Sequence, residues 1–319
     1  MNNGSTPGPV LASPAGQVQG GWLDLQEILR GLLYQGEAAV SPLPRLKGIE
    51  EKALDLLLRD PEAGLFILFQ ALADVTLGYC ATHALLTGVV CELTAHKLGL
   101  PDSTKRVLFR AALTMNIGMA RAQDNLARQS STLNEAQRKL IQEHPKISLE
   151  ILQNIGVTDE DQLDHVRWHH DPEASSGMVG NLESRRILCV ADIFVAKMAA
   201  RKTRLAMSPL GAAKSIFLDA PAETAKLGSA MAAAVGFYPP GTYVQLLNGE
   251  KAVSVARGLR ANSPHVLSIV NAGGMPLSHY LYRDTSAPQF AIRAPLNAEK
   301  IKVGVSLAKV LQARTDRGV

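Results

Sequence analysis

Asp159-Glu160-Asp161-Gln162-Leu163-Asp164-His165-Val166-Arg167-Trp168-His169-His170-Asp171-Pro172 reads as a helix over 159–170 that closes on two adjacent histidines before a proline stops it. Working outward, His144 ends one predicted helix, 134–143, directly before Pro145 opens the next, 145–154. On the other side, Asp192 lies mid-helix in Ile187-Leu188-Cys189-Val190-Ala191-Asp192-Ile193-Phe194. Farther upstream, His83 falls in the middle of a helix, 76–98, whose other face is apolar. A lone helical histidine is ordinarily a satisfied or exposed side chain. An aspartate set among apolar residues is harder to dismiss, because a buried carboxylate needs a cation or several donors. Several imidazoles and a carboxylate delivered from different helices are what a metal site in a bundle core is built from.

The surrounding chain supplies those helices. Leu25, Ile28, Leu32 and Leu33 recur at three- and four-residue steps, as do Ala53, Leu56 and Leu57. Asp60-Pro61 is a cap followed by a first-turn proline, and Gly99 with Pro101 ends the 76–98 helix. Asp102-Ser103 restarts the chain toward Gly118, and further helices are expected over 182–201, 209–219 and 222–235. After Gly236 the texture changes to short β-prone runs, 242–247, 252–257, 266–270 and 278–282, the first two joined by the hairpin signal Asn248-Gly249-Glu250.

Composition narrows the function classes. The chain has 319 residues, 46% of them hydrophobic, which is enough apolar surface to fold and suits roughly two domains. No apolar run approaches the ~18 residues of a membrane span. With 5% aromatics and a net charge of +4, neither a base-stacking platform nor a polyanion partner is implied. Cys80, Cys91 and Cys189 are scattered without a CxxC spacing and read as buried free thiols of a cytoplasmic protein. Residues 1–21, rich in Gly, Pro, Ser and Asn, read as a flexible tail without a signal peptide.

The ordered set of motifs resembles an HD-GYP domain, a branch of the HD metal-dependent phosphohydrolases whose active members linearise cyclic di-GMP. Glu143-His144-Pro145 with Ser148, Glu150, Ile151 and Leu152 is similar to one of its elements, and Trp168-His169-His170 to another. The helix 187–194 resembles the one carrying the family's later aspartate, and His83 falls on the helix that donates the first ligand. Gly236-Phe237-Tyr238-Pro239-Pro240-Gly241-Thr242 resembles the start of a β extension found in many members. The resemblance implies a mainly α fold, an HD-domain helical bundle with a small β-rich C-terminal extension. It divides the chain into the tail 1–21, an N-terminal helical segment 22–59, an HD-GYP-like domain 60–235 and the extension 236–319.

The departures from the family are as informative. Met115-Asn116 stand where the family has its His-Asp dyad, and Met119 stands where it has a lysine. The GYP loop is missing and shortened, and Val195 replaces a usual second acid. A dinuclear centre needs a carboxylate to bridge two cations and compensate their charge. Asn116 offers only a neutral carbonyl oxygen, and Met115 a soft thioether.

A full dinuclear centre is therefore not expected, and no residue is assigned a catalytic role. His83, His144, His169, His170 and Asp192 are the expected ligands of one divalent ion, iron or manganese by the resemblance. Arg201 and Arg204 match a basic pair that meets the dinucleotide's phosphate; the plainer alternative is a solvated basic helix end. The expected function is that of a degenerate, non-catalytic signalling protein working through a protein partner or a homo-oligomer, with cyclic di-GMP as a candidate ligand. Two alternatives stay open: a cyclic di-GMP phosphodiesterase with a reduced metal site, and a weaker nucleic-acid adaptor using Lys300, Lys302, Lys309, Arg314 and Arg317.

Overall fold

The structure is a computed structural model that describes residues 20–199, 206–218, 222–298 and 301–319. Its body is built from α1 (Trp22–Gln35), α2 (Pro42–Arg59), α3 (Pro61–Ala73), α4 (Tyr79–Leu98), α5 (Asp102–Thr114), α6 (Ala120–Arg128), α7 (Glu135–Asn154), α8 (Glu160–Trp168), α9 (Leu182–Met198), α10 (Pro209–Phe217) and α11 (Ala222–Val235). There follow β1 (Tyr243–Leu246), β2 (Lys251–Ala256), β3 (His265–Val270), β4 (Pro276–Asp284), β5 (Ile292–Leu296) and α12 (Leu307–Thr315). The chain is mainly helical with a small antiparallel sheet near its C-terminus, as the sequence implies.

Helix α4 is the axis of the body. It is buried on nearly every side, from Tyr79 through Ala95, as a helix apolar all round must be. Helices α1, α3, α5, α9 and α11 pack around it, and one continuous core runs from Leu25 and Ile49 to Leu188 and Met231. The helix boundaries follow local chemistry. Asp60 caps α3 by accepting the Ala63 N–H at 2.9 Å, and Gly99 ends α4 in the left-handed region at φ 74°. Cys80 and Cys91 are buried free thiols, and Cys189 is half-buried.

One expectation is corrected. The sequence predicts two helices meeting at Pro145, yet α7 continues through that proline. A helical proline has no N–H for the carbonyl four residues back, which here belongs to Ile141. The structure fills the gap with the neighbouring side chain: His144 Nδ1 lies 2.7 Å from the Ile141 carbonyl.

The sheet order is β4-β3-β2-β1-β5, each neighbouring pair antiparallel. Its residues alternate between two apolar clusters, interrupted by bulges in the β1–β5, β2–β3 and β3–β4 pairs. Val253, Val255, Leu267 and Ile269 face Phe66 of α3 and Val310 of α12, whereas Val244, Leu246, Ala252 and Val266 face Tyr238, Phe290 and Ile292. Sequence reading missed β5 and α12. Strand β5 carries Pro295, which is tolerated because the strand lies at the sheet edge.

The extension is clasped to α3. Arg257 donates to Glu62 from its backbone N–H at 2.8 Å and from Nε at 2.7 Å. Arg314, only 7% exposed, makes two 3.0 Å bonds to the Asp60 carboxylate. Gly241 has φ 90°, and a Cβ there would stand 2.6 Å from the Phe66 carbonyl oxygen, so the junction requires glycine. Arg314 is therefore spent on the fold, and Lys309 donates to the Ser278 carbonyl at 3.1 Å. Among the described residues, no helix is long and apolar enough to cross a membrane.

Candidate metal centre

Three histidines converge where the middle of α7 meets the C-terminal end of α8. His144, His169 and His170 each offer a ligand atom, all within 4.8 Å of one another. The backbone sets two of the three tautomers. His144 Nδ1–H donates to the Ile141 carbonyl that Pro145 leaves open, and His169 Nδ1–H donates to the Val166 carbonyl in the frayed last turn of α8, each at 2.7 Å. An imidazole that donates from Nδ1 in its neutral form carries a lone pair on Nε2. The two Nε2 atoms face each other at 3.1 Å, so two acceptors point at one small space with no donor between them.

A proton does not resolve that contact at neutral pH. Burial pushes His144 down to about 4. Burial, with the charges of His170 and His144 adding to it, pushes His169 down to about 3. Both rings are neutral there, and the donor chemistry fits a divalent transition-metal ion.

His83 and Asp192 make a second group beside the first. His83 Nε2 lies 2.7 Å from Asp192 Oδ1, and its Nδ1 lies 3.1 Å from the Tyr79 hydroxyl. Asp192 Oδ2 approaches the cluster no closer than 3.9 Å from His170 Nδ1. Burial alone would raise the Asp192 carboxyl. The His83 hydrogen bond and the neighbouring imidazoles of His83, His169 and His170 outweigh burial and hold it well below the usual carboxylate range. The structure thus gathers three of the five expected ligands into one cluster and pairs the other two with each other. His165 is satisfied at both nitrogens, 2.6 Å from the Asp161 carbonyl and 2.7 Å from the Ser184 hydroxyl.

Met115 and Asn116 are buried just beyond α5, and Met119 is 9% exposed. The turn they bracket lies against α7: Gly118 N–H donates to Ser148 Oγ at 3.0 Å, one helical turn from His144. Arg201 and Arg204 fall outside the described residues.

Sequence reading missed the device that fixes the 171–181 loop, which follows directly on His170. Asp164 and Arg185 form a buried ion pair at 2.8 Å. Asp164 Oδ1 accepts the Met178 N–H at 2.9 Å, and Arg185 donates to the Pro172 and Met178 carbonyls, both at 3.1 Å. Gly177 was the available signal, since a Cβ there would fall 2.1 Å from Arg185 Nη1.

Residues 68–221 match the family model of the HD domain. No curated protein matches the chain. Among solved structures the chain is similar to a HDG"Y"P protein from Bdellovibrio bacteriovorus, at 16% identity over 64% of this chain and 76% of that one, with a TM-score of 0.39. The matched span contains α4, α7, α8 and α9, and with them every histidine and aspartate of the candidate centre; over residues 68–221 this chain is similar to an HD domain.

Proposed function

We propose that this protein is a degenerate HD-GYP-like signalling protein. It has lost dinuclear phosphodiester hydrolysis and acts through contacts with a protein partner or a second copy of itself. Residues 60–235 are its HD-GYP-like unit and 236–319 its extension, and it works in the cytoplasm. The observation that supports this reading best is the division of the donor set. His144, His169 and His170 cluster, while the one carboxylate among the five expected ligands, Asp192, is engaged by His83. No acid occupies position 116 to bridge two cations, and Met119 offers no positive charge to a phosphate.

The residues that would hold a single divalent ion are those of the histidine cluster. When bound, such an ion supplies a Lewis-acid charge suited to a phosphate oxygen. The chain's own residues contribute the rest: backbone carbonyls of Ile141 and Val166 aim two lone pairs, and the Asp164–Arg185 pair fixes the neighbouring loop. Cyclic di-GMP is the ligand proposed for this region, with Arg201 and Arg204 as phosphate partners.

The second reading, a cyclic di-GMP phosphodiesterase with a reduced metal site, is favoured by the same cluster, because three protein ligands leave a position open for water. Purified full-length protein assayed with cyclic di-GMP in Mn²⁺ or Fe²⁺, alongside metal counting and dinucleotide-binding calorimetry, separates the two. Binding without turnover, at one metal or fewer per chain, supports the degenerate reading. Two metals with turnover that vanishes in His144→Ala or Asp192→Ala overturns it.

A further inference from the structure

The facing Nε2 atoms of His144 and His169 are 3.1 Å apart, and both carry lone pairs because their Nδ1–H groups are spent on carbonyls. Two nitrogen ligands of one ion, each ~2.1 Å from it and about 90–110° apart, lie ~3.0–3.4 Å from each other. The observed spacing therefore fits a shared cation and does not fit a hydrogen bond between neutral rings. His170 brings a third donor into the same group; no atom of Asp192 joins it. Asp192 Oδ1 instead takes the His83 Nε2–H at 2.7 Å, since a carboxylate oxygen only accepts, and the Tyr79 hydroxyl lies 3.1 Å from Nδ1. The nitrogen that would bind metal already carries a proton aimed at a carboxylate.

Resting on the metal-binding reading above, we propose that this chain holds one divalent ion on His144, His169 and His170 alone. His83 and Asp192 form a closed pair outside its coordination and act as positioning residues behind His170. Three imidazoles without a carboxylate make a donor set that prefers Zn²⁺, Co²⁺ or Ni²⁺ to the Mn²⁺ that oxygen-rich sites suit. Asp192 Oδ2, 3.9 Å from His170 Nδ1, stands where the outer carboxylate of a carboxylate–histidine–metal arrangement stands.

The test uses the full chain, stripped with a chelator and titrated with Co²⁺. Ligand-field absorption reports coordination, and mass spectrometry counts Zn²⁺ after loading. One equivalent is expected, with Zn²⁺ displacing Mn²⁺. His144→Ala and His169→Ala should abolish the absorption. His83→Ala and Asp192→Asn should keep one equivalent, with affinity lowered by no more than ~100-fold, the usual cost of losing an outer partner. Circular dichroism checks each fold; if His83→Ala does not fold, His83→Gln, which keeps an amide donor for Asp192, takes its place. Two equivalents in the wild type, or loss of the ion from the His83 variant as complete as from His169→Ala, overturns the assignment. A wild type that binds no metal defeats the metal-binding reading as well, whereas an ion lost only with His83 defeats this assignment alone.

Discussion

Replacing Pro145 by alanine separates its effect on the helix from its effect on the histidine beside it. In the wild type the proline withholds an N–H from the Ile141 carbonyl, and the His144 imidazole takes that carbonyl at 2.7 Å. Alanine restores the backbone N–H, which competes for the same oxygen and releases His144 Nδ1. Three contributions to stability nearly cancel. A helix-interior proline costs ~3 kcal/mol relative to alanine. About 1 kcal/mol of that, the unmade hydrogen bond, is already offset by the imidazole. The buried proline ring has two more carbons than alanine, and removing them costs ~1.6 kcal/mol at ~0.8 per methylene. The net change is within ~1 kcal/mol, a melting shift of ~2–4 °C at most for a chain of this size. Metal affinity behaves differently: His144 loses the partner that sets its tautomer, and such losses typically cost ~10–100-fold. The assay is a thermal melt in chelator beside Zn²⁺ competition against a chromophoric chelator. Affinity within twofold of wild type would refute the claim that the Ile141 carbonyl aims His144. A melting temperature lowered by 10 °C would refute the stability reasoning.

Four further outcomes are expected. The double variant Met115→His, Asn116→Asp installs the dyad that the HD-GYP resemblance implies and should raise metal content toward two equivalents per chain by mass spectrometry; content fixed at one would mean that the His83–Asp192 contact closes the second position. Arg314→Ala should cost ~2 kcal/mol in urea unfolding, below the usual 3–5 for a broken buried pair because the Asp60 side chain is 39% exposed, and should leave metal stoichiometry unchanged. Gly241→Ala should destabilise by at least ~2 kcal/mol, since its Cβ would meet a backbone carbonyl at 2.6 Å in a left-handed conformation. Finally, His144 and His169 titrate at about 4 and about 3 against an ordinary value of 6.5, so the unfolded state binds their protons first. Stability of the metal-free protein is then full above pH ~6.5 and lost as pH falls toward 4 and then 3, a decline that melting curves should record and His169→Ala should flatten.

Much of the fold was legible because its signals are local. Asp60-Pro61, Gly99 and the Asn248-Gly249 turn each mark a boundary by the chemistry of one or two residues, and the helices and strands begin and end near them. Pro145 misled for the same reason: read locally, a proline ends a helix, and the side chain that rescues the open carbonyl belongs to the residue just before it. Strand β5 and helix α12 depend on distant partners, β1 and the β2–β3 face, and five residues containing Pro295 carry no strand signal alone. In the candidate centre, residue types showed that imidazoles and a carboxylate would be available. They did not show that Asp192 turns to His83 while the other three histidines group, since that choice is made by Tyr79 and by packing between α4 and α9. The Asp164–Arg185 pair, twenty-one residues apart, is an ordinary charge on an ordinary helix until the loop closes over it.

The two halves of the centre differ in what holds them, and this explains how one can survive changes at Met115 and Asn116. His144 and His169 are aimed by the carbonyls of Ile141 and Val166, main-chain groups that substitutions at 115 and 116 leave in place. Their lone pairs converge whatever residue stands at 115 or 116. Asp192 has no such anchor, and a carboxylate buried to 7% exposure requires a cation or a donor close by. His83 is the donor within reach, and it closes on Asp192 at 2.7 Å. Met115, fully buried beside Ala111 and Ala112, fills apolar space as a flexible thioether readily does, at little cost to the fold. An acid alone at 116, where Asn116 is 5% exposed, would bury a carboxylate with no cation to pair it. The single variant Asn116→Asp should therefore melt lower than the double variant with Met115→His in chelator, and Zn²⁺ should narrow the gap.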